Sequence, residues 1–474
     1  MNSYLFYDLE TSGLNKAFDQ VLRFAAIRTD MLFNEIERYS ISIRLRPDIT
    51  ISPEAIIVNR ISIADSMQGL CEYEAILQVH RLFNEAGTIS LGYNTFGFDD
   101  EFLRFSFHRN LLPPYTHQWD RGCHRMDLLP ITTVYRLYRP TILNWPNSGQ
   151  KTSLKLEHLS AANQFTQGPA HNAMVDVEAC LELARRLSAE EEMWNYMIGY
   201  FNKETDRLRI EKLPVASSSR DGDHKMGLMV DNGFGTELNY QVPVIYIGNS
   251  IPYTNQTLWL RLDLPELQLA TPETIEKTSW VVRKKIGEPE IILPPYDRYW
   301  QSLSDERRAI VEENRQWLIS HPDIFKQIID YHCQYTYPVI PDLDPEAALY
   351  EMGFLSRKEQ ELCRQFHLEP LSEKVNFINK FSPLITRILA ERILCRNYFQ
   401  NLPKQIMKNY NRYLSRVNPR SEDDALLDFK GEKRKTPLSA LSDINRLKKE
   451  RNLDNHQLDL LNGLEDYLRK TFLW

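Results

Sequence analysis

The run Tyr4-Leu5-Phe6-Tyr7-Asp8-Leu9-Glu10-Thr11 decides how the rest of the chain is read. Tyr4 to Leu9 is apolar enough for a β-strand, and the Thr-Ser-Gly-Leu-Asn run that begins at Thr11 is a turn leading to a second apolar strand, Val21 to Ile27. Side chains alternate along a strand, so Asp8 and Glu10 share one face. Two acids in so apolar a setting cannot both stay ionised and unpaired without a large desolvation cost, and a divalent cation resolves that conflict.

Outward from this hairpin, Ile41 to Leu45 alternates as a third strand. Residues 72–86 place Ile76, Val79, Leu82, Phe83 and Ala86 on one helical face, and Thr88 to Tyr93 is a short apolar strand. Further helices are expected over 99–109, 126–138, 153–163 and 172–188, which makes residues 1–192 an α/β domain. The texture then changes. Ala216 to Asp223 reads as an exposed loop, and short alternating strands near 226–230, 242–247, 257–263 and 279–286 predict a small β-rich domain over 193–345. From about residue 303 the pattern is helical again. Ser356 and Glu359 are spaced as a capping box, Pro383 to Phe399 is a long amphipathic stretch, and a helical domain is expected over 346–474.

Composition bounds the function. A chain of 474 residues exceeds one ordinary core, and 42% hydrophobic with 26% charged residues excludes a disordered chain. No segment approaches the roughly 20 uninterrupted apolar residues of a membrane helix. The opening MNSYLFYDLE turns acidic within a few residues, so neither an export signal nor a membrane anchor is expected. The six cysteines form no CxxC pair, which argues against a disulfide framework or a zinc knuckle and for a reducing cytoplasm. Net charge is −7, so any surface for nucleic-acid phosphates must be local.

The chemistry gathers around Asp8, Glu10, Asp99 and Asp176, with His171 five residues before the last. Asp99 follows the Thr88 to Tyr93 strand and would open a helix at the carboxyl end of the sheet. Four carboxylates form a hard, oxygen-only ligand set that favours magnesium or manganese over zinc. Two such ions roughly 4 Å apart can clamp the attacking and leaving oxygens of a phosphoryl displacement. His171 suits the proton acceptor, because an imidazole titrates near neutrality. The five-residue spacing places it in a loop before a helix whose buried stripe is Ala173, Val177, Cys180, Leu181 and Ala184. Spacing alone does not choose between Asp99 and its neighbour Asp100.

The ordered motifs F-Y-D-L-E-T, G-Y-N-x-x-x-F-D-D-E-x-x-R and H-N-A-M-x-D-V resemble those of the DEDD exonuclease superfamily, in its histidine-containing subgroup. Arg23 to Asp30, Asn144-Trp145-Pro146, Leu156-Glu157-His158-Leu159 and Arg396-Asn397-Tyr398-Phe399 narrow the resemblance to bacterial exodeoxyribonuclease I. The resemblance runs through the whole chain. It implies an RNase H-like exonuclease domain, an SH3-like β-rich domain and a C-terminal helical domain around a groove for single-stranded DNA. It further implies Asp8, Glu10, Asp99 and Asp176 as ligands of two magnesium ions, replaceable by manganese, with Glu10 also facing the substrate and His171 as general base. The motif selects Asp99 over Asp100. Arg104 aligns with a phosphate-binding arginine, and Tyr115 and Trp119 with aromatic residues beside the strand. Lys155 stands where the family commonly has arginine, and Thr133 where an arginine is expected, so both depart from the pattern.

The resemblance also implies processive degradation in DNA repair and recombination, a monomer, and docking of the acidic, apolar C-terminal tail of single-strand-binding protein. Two other readings stay open: an RNA 3′-processing or proofreading nuclease with the same chemistry, and a non-catalytic protein that binds or tethers single strands. The basic residues from Lys430 to Lys435, with Arg446, Lys448, Lys449 and Arg451, read first as a solvated helical face and alternatively as part of a DNA groove.

Overall fold

The structure is a computed structural model that describes residues 2–148, 151–166, 172–219, 222–398 and 402–472. The chain forms two compact units built from discontinuous segments, one of Met1–Arg125, Thr166–Leu181 and Pro338–Trp474, the other of Met126–Phe165 and Glu182–Tyr337.

In the first unit, β1 (Ser3–Thr11) pairs antiparallel with β2 (Val21–Thr29), and β2 pairs antiparallel with β3 (Glu35–Ser42). On the other side β1 runs parallel to β4 (Thr88–Gly92), and β5 (His124–Asp127) completes the order β3-β2-β1-β4-β5. The register explains the two faces of β1. Leu5, Tyr7 and Leu9 join Phe24, Ala26, Val79, Phe83, Phe102 and Phe107 in one buried core, so helices Glu72–Phe83 and Asp99–Arg109 cover that face. Asp8 and Glu10 point the other way, opposite Ala25 and Arg23 of β2.

The third strand lies earlier than the expected Ile41 to Leu45. It is an exposed edge strand whose Glu35, Glu37 and Arg38 hide it from a search for apolar alternation, while Ile43 leaves the ladder to bridge Leu70. The strand β5 was not expected at all, since His124–Asp127 is too short and polar to stand out.

The C-terminal segment packs into this same unit. Ala440, Ile444 and Leu447 of helix Pro437–Glu450, with Leu460, Leu461, Leu464 and Leu468 of helix Asn455–Phe472, share a core with Leu45, Ile49, Ile51, Ile56 and Ile57. The capping box at Ser356 is present, with Ser356 and Glu359 bonded reciprocally. The stretch expected to be amphipathic is helix Leu384–Asn397, which instead buries Glu391, Arg392 and Arg396 along with Leu389, Ile393 and Leu394. Burial of these charges is tolerable because each meets an opposite one. Arg392 bonds Asp344 at 2.6 Å and Glu346 at 2.8 Å, and Arg396 bonds Asp48 at 2.6 Å. Arg46 continues the network to Asp48 and Glu72, and Tyr413 donates to Asp48 at 2.8 Å. Arg434, from the basic run, is buried there too, donating to the Tyr413 hydroxyl at 3.0 Å.

In the second unit a two-residue pair, β6 (Asn147–Ser148) and β7 (Lys151–Thr152), precedes an antiparallel sheet. That sheet holds β8 (Val215–Ser219), β9 (Gly222–Val230), β10 (Gln241–Asn249), β11 (Gln256–Arg261), β12 (Val281–Lys285) and β13 (Ile291–Leu293). Its order is β12-β11-β10-β9-β13, with β8 on β9. One face packs Ile245, Leu258 and Leu260 against Val311, Leu318, Phe325 and Ile328, while Met229, Val244 and Trp259 fill the other. Part of the expected loop from Ala216 is therefore strand: β8 is a serine-rich edge held by backbone pairing to β9. No helix among the described residues is long and apolar enough to cross a membrane.

Candidate active site

The carboxyl end of β1 carries the acids. Asp8 and Glu10, two residues apart on one face, are joined by Asp176 from the first turn of helix Ala173–Ser188, and their carboxylate oxygens lie within 4.8 Å of one another. Asn172 starts that helix, accepting the amide of Asp176 at 3.1 Å. The expected stripe is in place, with Ala173, Val177, Cys180, Leu181 and Ala184 all buried.

Asp99 is the first residue of helix Asp99–Arg109 and is 5% exposed. Its approach to β1 depends on the turn after β4. A Cβ on Gly92 would lie 2.6 Å from the Tyr7 carbonyl oxygen and 2.6 Å from the Thr95 side chain, so only glycine lets the chain pass this close. The charge of Asp99 reaches both acids of β1. Burial, then Asp99, Glu10 and Asp176, push the Asp8 carboxyl well above the usual range. Burial, then Asp176 and Asp99, push Glu10 up to about 8, with Arg23 opposing. A site that makes its own carboxylates hard to ionise favours a bound cation, and an all-oxygen donor set suits a hard divalent ion.

Asp100 is separated from this site in kind. Burial alone would raise its carboxyl, but Arg104, Arg125 and His117 outweigh that and hold it well below the usual range. It accepts from His117 Nε2 at 3.0 Å and pairs with Arg104 at 2.9 Å and with Arg125. One aspartate of the doublet faces other acids and the other is neutralised. Sequence reading missed this cluster because His117 and Arg125 are 17 and 25 residues from Asp100 and belong to no local motif.

Arg104 sits inside the same cluster, 5% exposed, bonded to Asp100 and Glu101 and 5.6 Å from the Tyr115 ring. Any phosphate at Arg104 would share it with two carboxylates. Tyr115 is half-buried and packs edge-on against Phe354, whereas Trp119 is 63% exposed. Both line a cavity of about 870 Å³ with Pro113, Pro114, Phe354 and His367. In the second unit, Lys155 precedes helix Leu156–Asn163 with an exposed side chain 3.6 Å from Glu157. Thr133 is fully buried, its hydroxyl donating to the Leu129 carbonyl at 2.8 Å, so the helix interior occupies the place where an arginine was expected. His171 lies outside the described residues.

Residues 5–184 match the RNase T exonuclease family. Exodeoxyribonuclease I of Buchnera aphidicola subsp. Baizongia pistaciae is 36% identical over 210 residues, which cover 42% of this chain and 43% of that one. Exodeoxyribonuclease I of Escherichia coli K12 is 35% identical over 206 residues, covering 43% of each. The matched stretch thus spans less than half the length of these relatives. The fold similarity extends further. The crystal structure of E. coli exonuclease I in complex with a dA16 oligonucleotide superposes with a TM-score of 0.84 at 22% identity, over 99% of this chain and 100% of that one. A moderately thermophilic exonuclease I from Methylocaldum szegediense gives 0.83 at 22% identity, over 100% of both chains.

Proposed function

We propose, from the RNase T exonuclease match over residues 5–184 and the partial similarity to exodeoxyribonucleases I, that this protein is a magnesium-dependent exonuclease degrading single-stranded DNA from the 3′ end to 5′-mononucleotides. The observation that carries the reading is the convergence of Asp8, Glu10 and Asp176 within 4.8 Å, with the charge of Asp99 added, and with only Arg23 opposing the rise at Glu10. Asp8, Glu10, Asp99 and Asp176 would hold two magnesium ions, or manganese in their place. Bound there, the ions supply positive charge to the phosphodiester and to the water that attacks it.

The remaining steps belong to the chain. His171 takes the proton of the attacking water; the water oxygen bonds to phosphorus as the bond to the 3′ oxygen breaks, leaving a 3′ hydroxyl on the shortened strand. Trp119 and Tyr115 offer stacking surfaces that every base can use, and Lys155 a point charge for phosphate. Processive action, a role in repair and recombination, a monomeric state, a cytoplasmic setting and docking of the single-strand-binding protein tail complete the proposal. So does the division into domains at 1–192, 193–345 and 346–474.

Digestion of end-labelled single-stranded DNA, duplex DNA and single-stranded RNA of one sequence, with magnesium and with EDTA, tests it. Mononucleotide release confined to single-stranded DNA, and lost in EDTA, is expected. Preference for RNA would overturn the substrate, and binding without hydrolysis would overturn the enzyme.

A further inference from the structure

Arg23 of β2 is directly opposite Glu10 of β1, and cross-strand partners project from the same face with Cβ atoms about 5 Å apart. On its other side stands Ser42 of β3, a small exposed residue with no charge to offer. Other arginines of this sheet are committed. Arg28 bonds Glu85 at 2.7 Å and the hydroxyls of Ser3 and Thr88, and Arg38 pairs with Glu35 at 2.9 Å and with Glu178. Arg23 differs from them: half-buried, it makes no ion pair among the described residues, although it stands beside the densest group of carboxylates on the sheet. It is near enough for its charge to act on Glu10. A phosphodiester placed at these acids is itself an anion and calls for cationic donors beside it. A guanidinium one strand away, with its donors uncommitted, has the charge and fork geometry to receive two phosphate oxygens.

We propose that Arg23 is a substrate-binding residue that grips the non-bridging oxygens of the phosphate being cut. That phosphate becomes the 5′-phosphate of the released nucleotide, so product and substrate share the contact. The inference rests on the nuclease reading above, and its test separates the two.

The test compares the wild type with Arg23→Gln and Arg23→Lys. It measures hydrolysis of labelled oligothymidylate, the magnesium concentration for half-maximal rate, and calorimetric binding of thymidine 5′-monophosphate in magnesium. Losing a charge-assisted contact to phosphate costs about 10- to 100-fold in affinity. Arg23→Gln should therefore weaken mononucleotide binding and kcat/KM by that factor, while Arg23→Lys, a point charge without the fork, restores only part. If Arg23 only offsets the charge of Glu10, its removal should instead lower the magnesium requirement and leave mononucleotide affinity unchanged, which overturns the proposal. Equal nucleotide binding by all three proteins overturns it as well. A wild type that binds the mononucleotide through Arg23 but hydrolyses nothing would defeat the nuclease reading and leave the phosphate contact standing.

Discussion

The first unit buries two groups of charges that differ in how they are balanced. Around Asp48, carboxylates and guanidiniums alternate: Asp48, Glu72, Asp344 and Glu346 against Arg46, Arg109, Arg392, Arg396 and Arg434. Burial alone would raise Asp48 and Glu346, but the arginines prevail and hold both carboxyls below the usual range. Around Asp8 the neighbours are other acids, and the carboxyls are pushed up. Burial is common to both groups, so burial does not distinguish them. The balanced group ties the C-terminal helical segment to Arg46, Asp48 and helix Glu72–Phe83, whereas the like charges around Asp8 and Glu10 create a demand for positive charge that a bound cation would meet.

The sharpest way to break this comparison is to change acids in the unbalanced group. Asp99→Asn and Asp176→Asn should each lower hydrolysis by about 10³-fold or more, because a charged ligand supplies several kcal/mol of transition-state stabilisation. Thermal stability without metal should be unchanged or higher, since each substitution relieves like-charge repulsion. Single-strand affinity in a gel-shift assay should hold, as it comes mainly from phosphate contacts elsewhere. A variant that hydrolyses normally would remove that acid from the centre.

The balanced group should answer in the opposite way. Arg396→Ala leaves Asp48 and Glu346 buried with fewer cations, and a buried pair broken on one side costs about 3–5 kcal/mol. Urea unfolding should show that loss, with activity per folded molecule close to wild type. Asp100→Asn belongs to the same class with a smaller effect of about 2–3 kcal/mol, because an amide still accepts hydrogen bonds from Arg104, Arg125 and His117. If Asp100→Asn instead lost activity with full stability, the assignment of the doublet would be reversed.

How far these groups could be read in advance follows from the distance over which each is assembled. Asp8 and Glu10 share a face because of the two-residue period of a strand, which eight residues of sequence display. The position of Asp176 on a helix with an apolar stripe was equally local. The choice of Asp99 over Asp100 came from a motif; its physical reason, the pairing of Asp100 with His117 and Arg125, is tertiary. The Asp48 network was invisible, since Arg396 meets Asp48 across 348 positions and nothing near either residue announces the other. For the same reason helix Leu384–Asn397 was read as amphipathic: charged residues imply a wet face until their partners are known. Arg434 was misplaced with its basic neighbours on the same ground, although Lys435 and Arg446 do make partly exposed pairs with Asp443. The edge strands β3 and β8 escaped because backbone pairing, which carries no side-chain signature, holds them.

The mildest test uses pH, and the two groups have opposite signs. Glu10 in the folded state holds its proton up to about 8, against an ordinary 4.5, so the folded protein binds a proton that the unfolded chain releases. Stability without metal should then fall as pH rises from about 5 to about 8, by an amount on the order of 2 kcal/mol. Asp48 and Glu346 act the other way: their contribution is complete above the ordinary carboxylate range and is lost as pH falls through their depressed folded values. A metal-free melting profile should therefore peak near about pH 5, just above the ordinary carboxylate range. Magnesium, which requires the acids ionised, should flatten the descent on the alkaline side, and so should Glu10→Gln without metal. If Glu10→Gln and wild type lost stability in parallel between pH 5 and pH 8 in EDTA, the unbalanced group would not be the source of the slope, and its contrast with the arginine-balanced network would fail at its most quantitative point.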